Sequence, residues 1–154
     1  MCASETATQV ARAIDESRMI RWRYRHVDGV VAIPHTEGCG CDSGLPIERL
    51  LKVLKGYITH PNVGGCLILD MGCEQTDCDR IQSFLKDVLA CSRKPIDWVS
   101  IQGVGGTAAA RDRARRMILK QLPKINRIHR EPVPVSGLII GTECGASDAF
   151  SGIT

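Results

Sequence analysis

The sequence predicts an α/β fold: a three-layer, Rossmann-like parallel sheet with helices on both faces, built as a single domain over residues 1–154. Two observations carry this. Short, nearly continuous apolar runs alternate with stretches of helical periodicity, and strands separated by helices return parallel through right-handed crossovers. The composition is also that of a globular chain, 44% hydrophobic and 24% charged, with aromatics at only 4%, so aliphatic side chains must build the core.

Each element follows from its pattern. Ala3, Ala7, Val10, Ala11 and Ile14 recur at helical spacing, which predicts an amphipathic helix over roughly residues 4–20, with Ser4 or Thr6 as its cap and Glu5 in the first turn. After the turn at Gly29, residues 30–33 read as a short buried strand, and residues 36–45 as a Gly/Cys loop. Pro46 opens a helix running to about Tyr57, with Ile47, Leu50, Leu51 and Leu54 on one face. His60-Pro61-Asn62 is a turn, and residues 65–71 are an apolar strand. Ile81, Phe84, Leu85, Val88 and Leu89 place a helix over 77–91. A strand at 97–102, a glycine turn at 103–107 and a helix at 108–121 follow, and residues 136–142 read as a last buried strand.

The charge balance, 20 Lys and Arg against 17 Asp and Glu, argues against a nucleic-acid binder, whose domain would be clearly basic. Arginines alternate with Trp22 and Tyr24 at positions 21, 23 and 25, and Arg111, Arg113, Arg115 and Arg116 crowd one helix; both read as solvated faces or as surfaces that dock another domain. No apolar run approaches the roughly 18 residues of a membrane span, and the first residues lack the basic-then-apolar order of a secretory signal. The eight cysteines then read as reduced thiols of a cytoplasmic protein, free for metal or catalytic work. The first helix begins almost at once and the last strand runs into a polar loop. The chain is accordingly expected to be a piece of a longer protein.

In open parallel sheets, ligands bind beyond the carboxyl ends of the strands. The residues that follow the four predicted strands are His35, Glu37, Cys39 and Cys41; Cys73, Glu74 and Gln75; the turn with Gly103, Gly105, Gly106 and Thr107; and Glu143, Cys144, Ser147 and Asp148. Three strands thus end in a Gly-Cys or Cys-Gly pair, and Cys73 and Cys144 each adjoin a Glu. Cys66, Cys91 and Cys78 sit in apolar patterns and read as small core residues. Thiolates, imidazole and carboxylates together can hold a divalent transition metal, and the same groups can form a metal-free nucleophilic or acid–base site. No Cys-x-x-Cys or His-Glu-x-x-His is present, so a structural zinc site is not indicated. The glycine turn opens a helix, whose first amides favour an anion such as a carboxylate or phosphate; it matches neither the Walker pattern nor the full dinucleotide fingerprint.

The same loops carry a resemblance. Ile33-Pro-His-Thr-Glu-Gly-Cys-Gly40, His60-Pro-Asn-Val-Gly-Gly65, Met71-Gly-Cys-Glu74 and above all Glu143-Cys-Gly-Ala-Ser-Asp-Ala-Phe-Ser-Gly-Ile-Thr154 resemble the altronate dehydratase/galactarate dehydratase family of hydro-lyases. The chain departs from that pattern at Ala146, where the family usually has Gly, and at His60, where it usually has Asn. The resemblance implies dehydration of an aldonic or aldaric acid to a 2-keto-3-deoxy acid, with a divalent metal, Fe(II) or Mn(II), and implies that the chain is the central segment of such a protein, lacking a carboxyl-terminal domain of the same polypeptide. A sister branch resembles sulfolactate sulfo-lyase, which expels sulfite instead of water.

Both reactions are β-eliminations from a 2-hydroxy acid. The expected metal set comes from Cys39, Cys73 and Cys144, with Glu74 and Glu143 as further donors or acid–base groups. His35 is the expected proton carrier, since free imidazole changes charge near neutral pH. Ser147 and Asp148 would orient sugar hydroxyls, and Gly103, Gly105, Gly106 and Thr107 a distal carboxylate. Three other expectations stand beside these: a non-catalytic metal or sugar-acid binding domain, an iron–sulfur dehydratase, and self-association through apolar surface left open by the absent domain. The isolated piece is expected to turn over little substrate.

Overall fold

The computed structural model describes residues 2–16, 19–37, 40–74, 78–142, 145 and 150. Their order is α1 (Cys2–Asp15), α2 (Met19–Arg23), α3 (Leu45–Thr59), β1 (Cys66–Asp70), α4 (Cys78–Phe84), α5 (Lys86–Cys91), β2 (Ile96–Ser100) and α6 (Thr107–Ile125), followed by a short 3₁₀ turn, Val135–Gly137. The fold is α/β, and its sheet among the described residues is a parallel pair. β1 and β2 run in register from Cys66 opposite Ile96 to Asp70 opposite Ser100.

The alternation of side chains along a strand sends successive residues to opposite faces. Leu67 and Leu69 join Val10, Ile14, Ile20, Ala114 and Leu122, inward residues of α1, α2 and α6, and Tyr24 just after α2. Cys66, Ile68, Ile96 and Trp98 meet Ile47, Leu51, Ile58, Ile81 and Leu85 from α3, α4 and the joint before α5. A side chain as completely buried as Leu85 contributes roughly 1.5–3 kcal/mol by leaving water.

Helix boundaries have local causes. α3 starts on Gly44, with Pro46 in its first turn and Glu48 near the positive end of the helix dipole. Its last carbonyls are met by a cation, because Lys94 Nζ donates to the carbonyls of Ile58 (3.3 Å) and His60 (2.6 Å). The helix expected over 77–91 is divided at Leu85, yet the bonds Leu85 N to Ile81 O (2.9 Å) and Leu89 N to Leu85 O (2.8 Å) carry the ladder across the joint. Gln121 of α6 is buried and donates to the Cys66 carbonyl (3.2 Å) and the Asp97 carboxylate (2.8 Å), pinning α6 across the start of both strands. Gly64 and Gly65 make that approach feasible: a Cβ on Gly65 would lie 2.7 Å from Ile125 Cδ1 and 2.8 Å from Gln121 Oε1.

Two expected strands do not form as such. Residues 27–35 and 138–142 carry no strand assignment. Val27 and Val30 do pack against the α1–α6 cluster, but Val31 is 79% exposed, and Ile139 is 94% exposed. An apolar run becomes a strand only where its N–H and C=O groups find a ladder, and neither run has a partner strand among the described residues. Cys91, expected in the core, is exposed at the end of α5, whereas Cys66 is packed as expected.

Candidate functional site

The carboxyl edge of the β1–β2 pair is drawn together by hydrogen bonds beyond the last ladder residues. Ile101 N donates to Asp70 O (2.8 Å) and Gln102 N to Met71 O (3.2 Å), so the two following loops leave side by side. Asp70 itself is 2% exposed, a buried carboxyl group at the strand end that the residue pattern alone did not single out; its place as the last residue of an apolar run before Met71-Gly-Cys-Glu74 was the available signal.

The loop after β1 is held by Glu74. Its carboxylate accepts N–H bonds from Met71 (2.8 Å), Gly72 (2.8 Å) and Cys73 (3.0 Å), using both oxygens. Gly72 sits at φ +98, a left-handed conformation that side chains disfavour, and a Cβ there would lie 3.0 Å from Ser100 Oγ. The turn therefore requires Gly, the side chain of Ser100 fills the space beneath it, and the Cys73 thiol is left exposed.

The loop after β2 winds into α6. Val104 N bonds Ser100 O (3.1 Å), Gly106 N bonds Ile101 O (2.9 Å), and the first helical bond is Ala110 N to Gly106 O (3.0 Å). The amides of Thr107, Ala108 and Ala109 thus precede the helical ladder, at the positive end of a 19-residue helix. Gly106 has φ +116 with nothing within 4 Å of a would-be Cβ, so this turn is open to solvent.

His35 reaches the same edge through α1. Ala3 packs into the cluster of Val99, Ile101 and Ala110 that also includes Met71 and Val104. Ser4, next in the chain, donates through Oγ to the His35 carbonyl (3.1 Å) and accepts from the His35 amide (3.4 Å). Ser4 is thus a clamp on His35, a role its expected use as a helix cap did not suggest. Nδ1 of His35 is buried and has no hydrogen-bond partner among the described residues.

The first turn of α1 therefore holds His35 through Ser4 and packs through Ala3 on Val99, Ile101 and Ala110, while Cys73 and Glu74 follow β1 and Gly103, Gly105, Gly106 and Thr107 follow β2. Cys39, Glu143, Cys144, Ser147 and Asp148 lie outside the described residues. Among the described residues no three His, Cys, Asp or Glu stand together as a metal site, so a metal at this edge would need Cys39 and Cys144 to complete the set with Cys73. Thiolate and carboxylate donors with an imidazole nitrogen suit a divalent transition metal in kind.

Two further thiols, Cys41 and Cys66, are poorly disposed to act. Cys41 is held above the ordinary thiol value, first by its hydrogen bond with Glu37, then by desolvation and by the charges of Glu37 and Asp42. Burial pushes Cys66 up to about 11, against the opposing charge of Lys94. Two open clefts, of about 580 and 410 Å³, lie elsewhere, one lined by Asp15, Glu16, Arg21 and Trp22 and the other by Arg21, Tyr24, Arg25, Val27 and Asp28; among the described residues neither is lined by a Cys or His. No described helix is long and apolar enough to cross a membrane.

A parallel strand pair whose carboxyl edge carries a thiol, a carboxylate and a glycine turn is a framework of α/β domains, and the comparisons say of which family. The chain belongs to the D-galactarate dehydratase/altronate hydrolase family, whose second domain matches residues 1–126. It is 35% identical over 128 residues to an altronate dehydratase of Bacillus subtilis (strain 168), an alignment covering 82% of this chain and 24% of that protein. It is 32% identical over 108 residues to a galactarate dehydratase (L-threo-forming) of Escherichia coli (strain K12), covering 68% and 20%. A (2R)-sulfolactate sulfo-lyase subunit beta of Chromohalobacter salexigens is 27% identical over 129 residues, covering 82% and 31%. The chain thus spans between a fifth and a third of the length of these relatives. No solved structure matches it. The family match ends at residue 126, ahead of the motif at 143–154.

Proposed function

We propose that this chain supplies one wall of the active site of a sugar-acid dehydratase, which removes water from an aldonate or aldarate such as altronate or galactarate and yields a 2-keto-3-deoxy acid. The observation that carries the reading is the bridge made by α1, whose Ala3 packs on the same Val99, Ile101 and Ala110 cluster as Met71 and Val104 while Ser4 beside it holds His35. Removal of the proton α to a carboxylate builds an enediolate, and loss of the β-hydroxyl gives an enol that becomes the keto acid.

His35 carries the proton. Beyond the turn made by Gly103, Gly105 and Gly106, the amides of Thr107, Ala108 and Ala109, which precede the helical ladder, hold a distal carboxylate at the positive end of α6. Glu143 protonates the departing hydroxyl, and Ser147 and Asp148 orient the remaining ones. A divalent metal, Fe(II) or Mn(II), on Cys39, Cys73 and Cys144 would supply positive charge for the enediolate.

For the fourth loop to reach this edge, residues 30–33 and 136–142 must join β1 and β2 in the full three-layer, Rossmann-like sheet. Support comes from the segments leading into them, which are already tied. Arg130 pairs with Asp28 at 2.6 Å, and the rings of His26 and His129 meet edge to face at 4.4 Å. A further domain of the same polypeptide closes the edge against water, so this piece alone has little activity in its cytoplasmic setting.

A second reading is favoured by the sulfo-lyase relative: the same edge eliminating sulfite from a 2-hydroxy sulfo-acid. One experiment separates them. The full-length protein carrying this segment is given altronate, galactarate and sulfolactate, and products are identified by mass spectrometry. A keto-deoxy acid lighter than its substrate by one water supports the dehydratase; sulfite from sulfolactate alone supports the second reading; turnover of none of them removes both.

A further inference from the structure

The loop after β1 already binds a carboxylate, and the carboxylate is its own. Three consecutive amides, those of Met71, Gly72 and Cys73, converge on Glu74 at 2.8, 2.8 and 3.0 Å. Successive amides turned to one side by a left-handed residue form a concave anion site, and Gly72 at φ +98 provides that turn. The site stands at the carboxyl end of a parallel strand, where ligands of open α/β sheets bind. Its occupant, Glu74, is only partly buried, and its side chain emerges from the residue just after the three donors.

We propose that the amides of residues 71–73 are a binding site for a ligand's carboxylate, and that Glu74 is a resident stand-in which the ligand displaces. Exchanging one carboxylate for another leaves the charge at the amides unchanged, so displacement costs mainly the tether's advantage in effective concentration, which is of millimolar order for short links. The exchange frees the Glu74 carboxylate beside the newly bound acid, so binding and the exposure of a base become one event. The identity of the ligand as a 2-hydroxy acid rests on the function proposed above; the existence of the site does not.

The test uses the whole chain, its backbone amides followed by NMR, and glycolate as probe, with chloride at equal ionic strength as control. In Glu74→Ala, glycolate should shift the amides of Met71, Gly72 and Cys73 saturably, while the wild type should need on the order of ten-fold more glycolate for the same shift, because its own carboxylate competes. Glu74→Gln keeps the length and loses the charge, and should titrate between the two. It is the variant to read if Glu74→Ala does not fold. Absence of shifts at these three amides in the variant, or a wild-type titration equal to that of the variant, overturns the proposal. Glycolate binding here in a protein that dehydrates no sugar acid would keep this site and sink the dehydratase; dehydration without glycolate binding here would do the reverse.

Discussion

Two stretches of this chain are nearly the same in sequence character and opposite in fate. Gly65-Cys-Leu-Ile-Leu69 and Gly137-Leu-Ile-Ile-Gly141 are both short apolar runs opened by glycine. The first becomes β1, hydrogen-bonded to β2 and packed on both faces by helices. The second lies with Leu138, Ile139 and Ile140 at 66, 94 and 74% exposure. An apolar run supplies the capacity to be a strand; the neighbour that accepts its hydrogen bonds and covers its faces decides whether it becomes one. The family match has the same boundary: it includes β1, β2 and α6 and stops at residue 126.

The sharpest way to break this comparison is to cut equal amounts of hydrocarbon from each region. Leu122→Ala, at a position 1% exposed in the α1–α6 cluster, should cost about 2–5 kcal/mol. Ile139→Ala should change stability by less than about 0.5 kcal/mol. Urea unfolding of both variants checks this. A large loss at Ile139 would mean that the second run is packed in solution, which is what the completed sheet of the proposed enzyme requires.

A smaller effect sharpens the same contrast through pH. The folded-state value of Cys66, about 11, lies above the ordinary 9.0 of a thiol. Its protonated form therefore favours the folded chain. That contribution is whole below pH 9 and is lost as pH rises through 9 towards 11, by roughly 2–3 kcal/mol at the limit. Lys94 acts in the other direction: desolvation lowers its value from 10.5, so its ammonium opposes folding and the opposition fades as pH rises. Wild type and Cys66→Val both contain Lys94. The difference between their urea midpoints across pH 8 to 11 reports the thiol together with its coupling to Lys94, and wild type should lose more stability than the variant as pH rises.

Much of the framework was legible in the residues. The strand expected at 65–71 is observed as Cys66–Asp70, the one at 97–102 as Ile96–Ser100, and the helix opened by Pro46 as Leu45–Thr59. These are elements whose periodicity and punctuation agree with their packing. What could not be read were facts that depend on distant partners. Cys91 sits in an apolar pattern but ends a six-residue helix and faces solvent. The clamp of Ser4 on His35 joins residues 31 apart. At the candidate site, the positions of Cys73, Glu74 and the glycine turn followed from the rule that ligands sit beyond strand ends. The engagement of Glu74 with three amides did not, because it depends on the left-handed turn at Gly72.

The account stands or falls on His35 acting at this edge. In the full-length protein carrying this segment, the proposed activity requires that His35→Ala lower the rate of keto-acid formation from altronate or galactarate by about 10²–10⁴, the range for loss of a positioned proton carrier, with the unfolding midpoint little changed. A variant that keeps a near-normal rate on the substrate its parent dehydrates would contradict it.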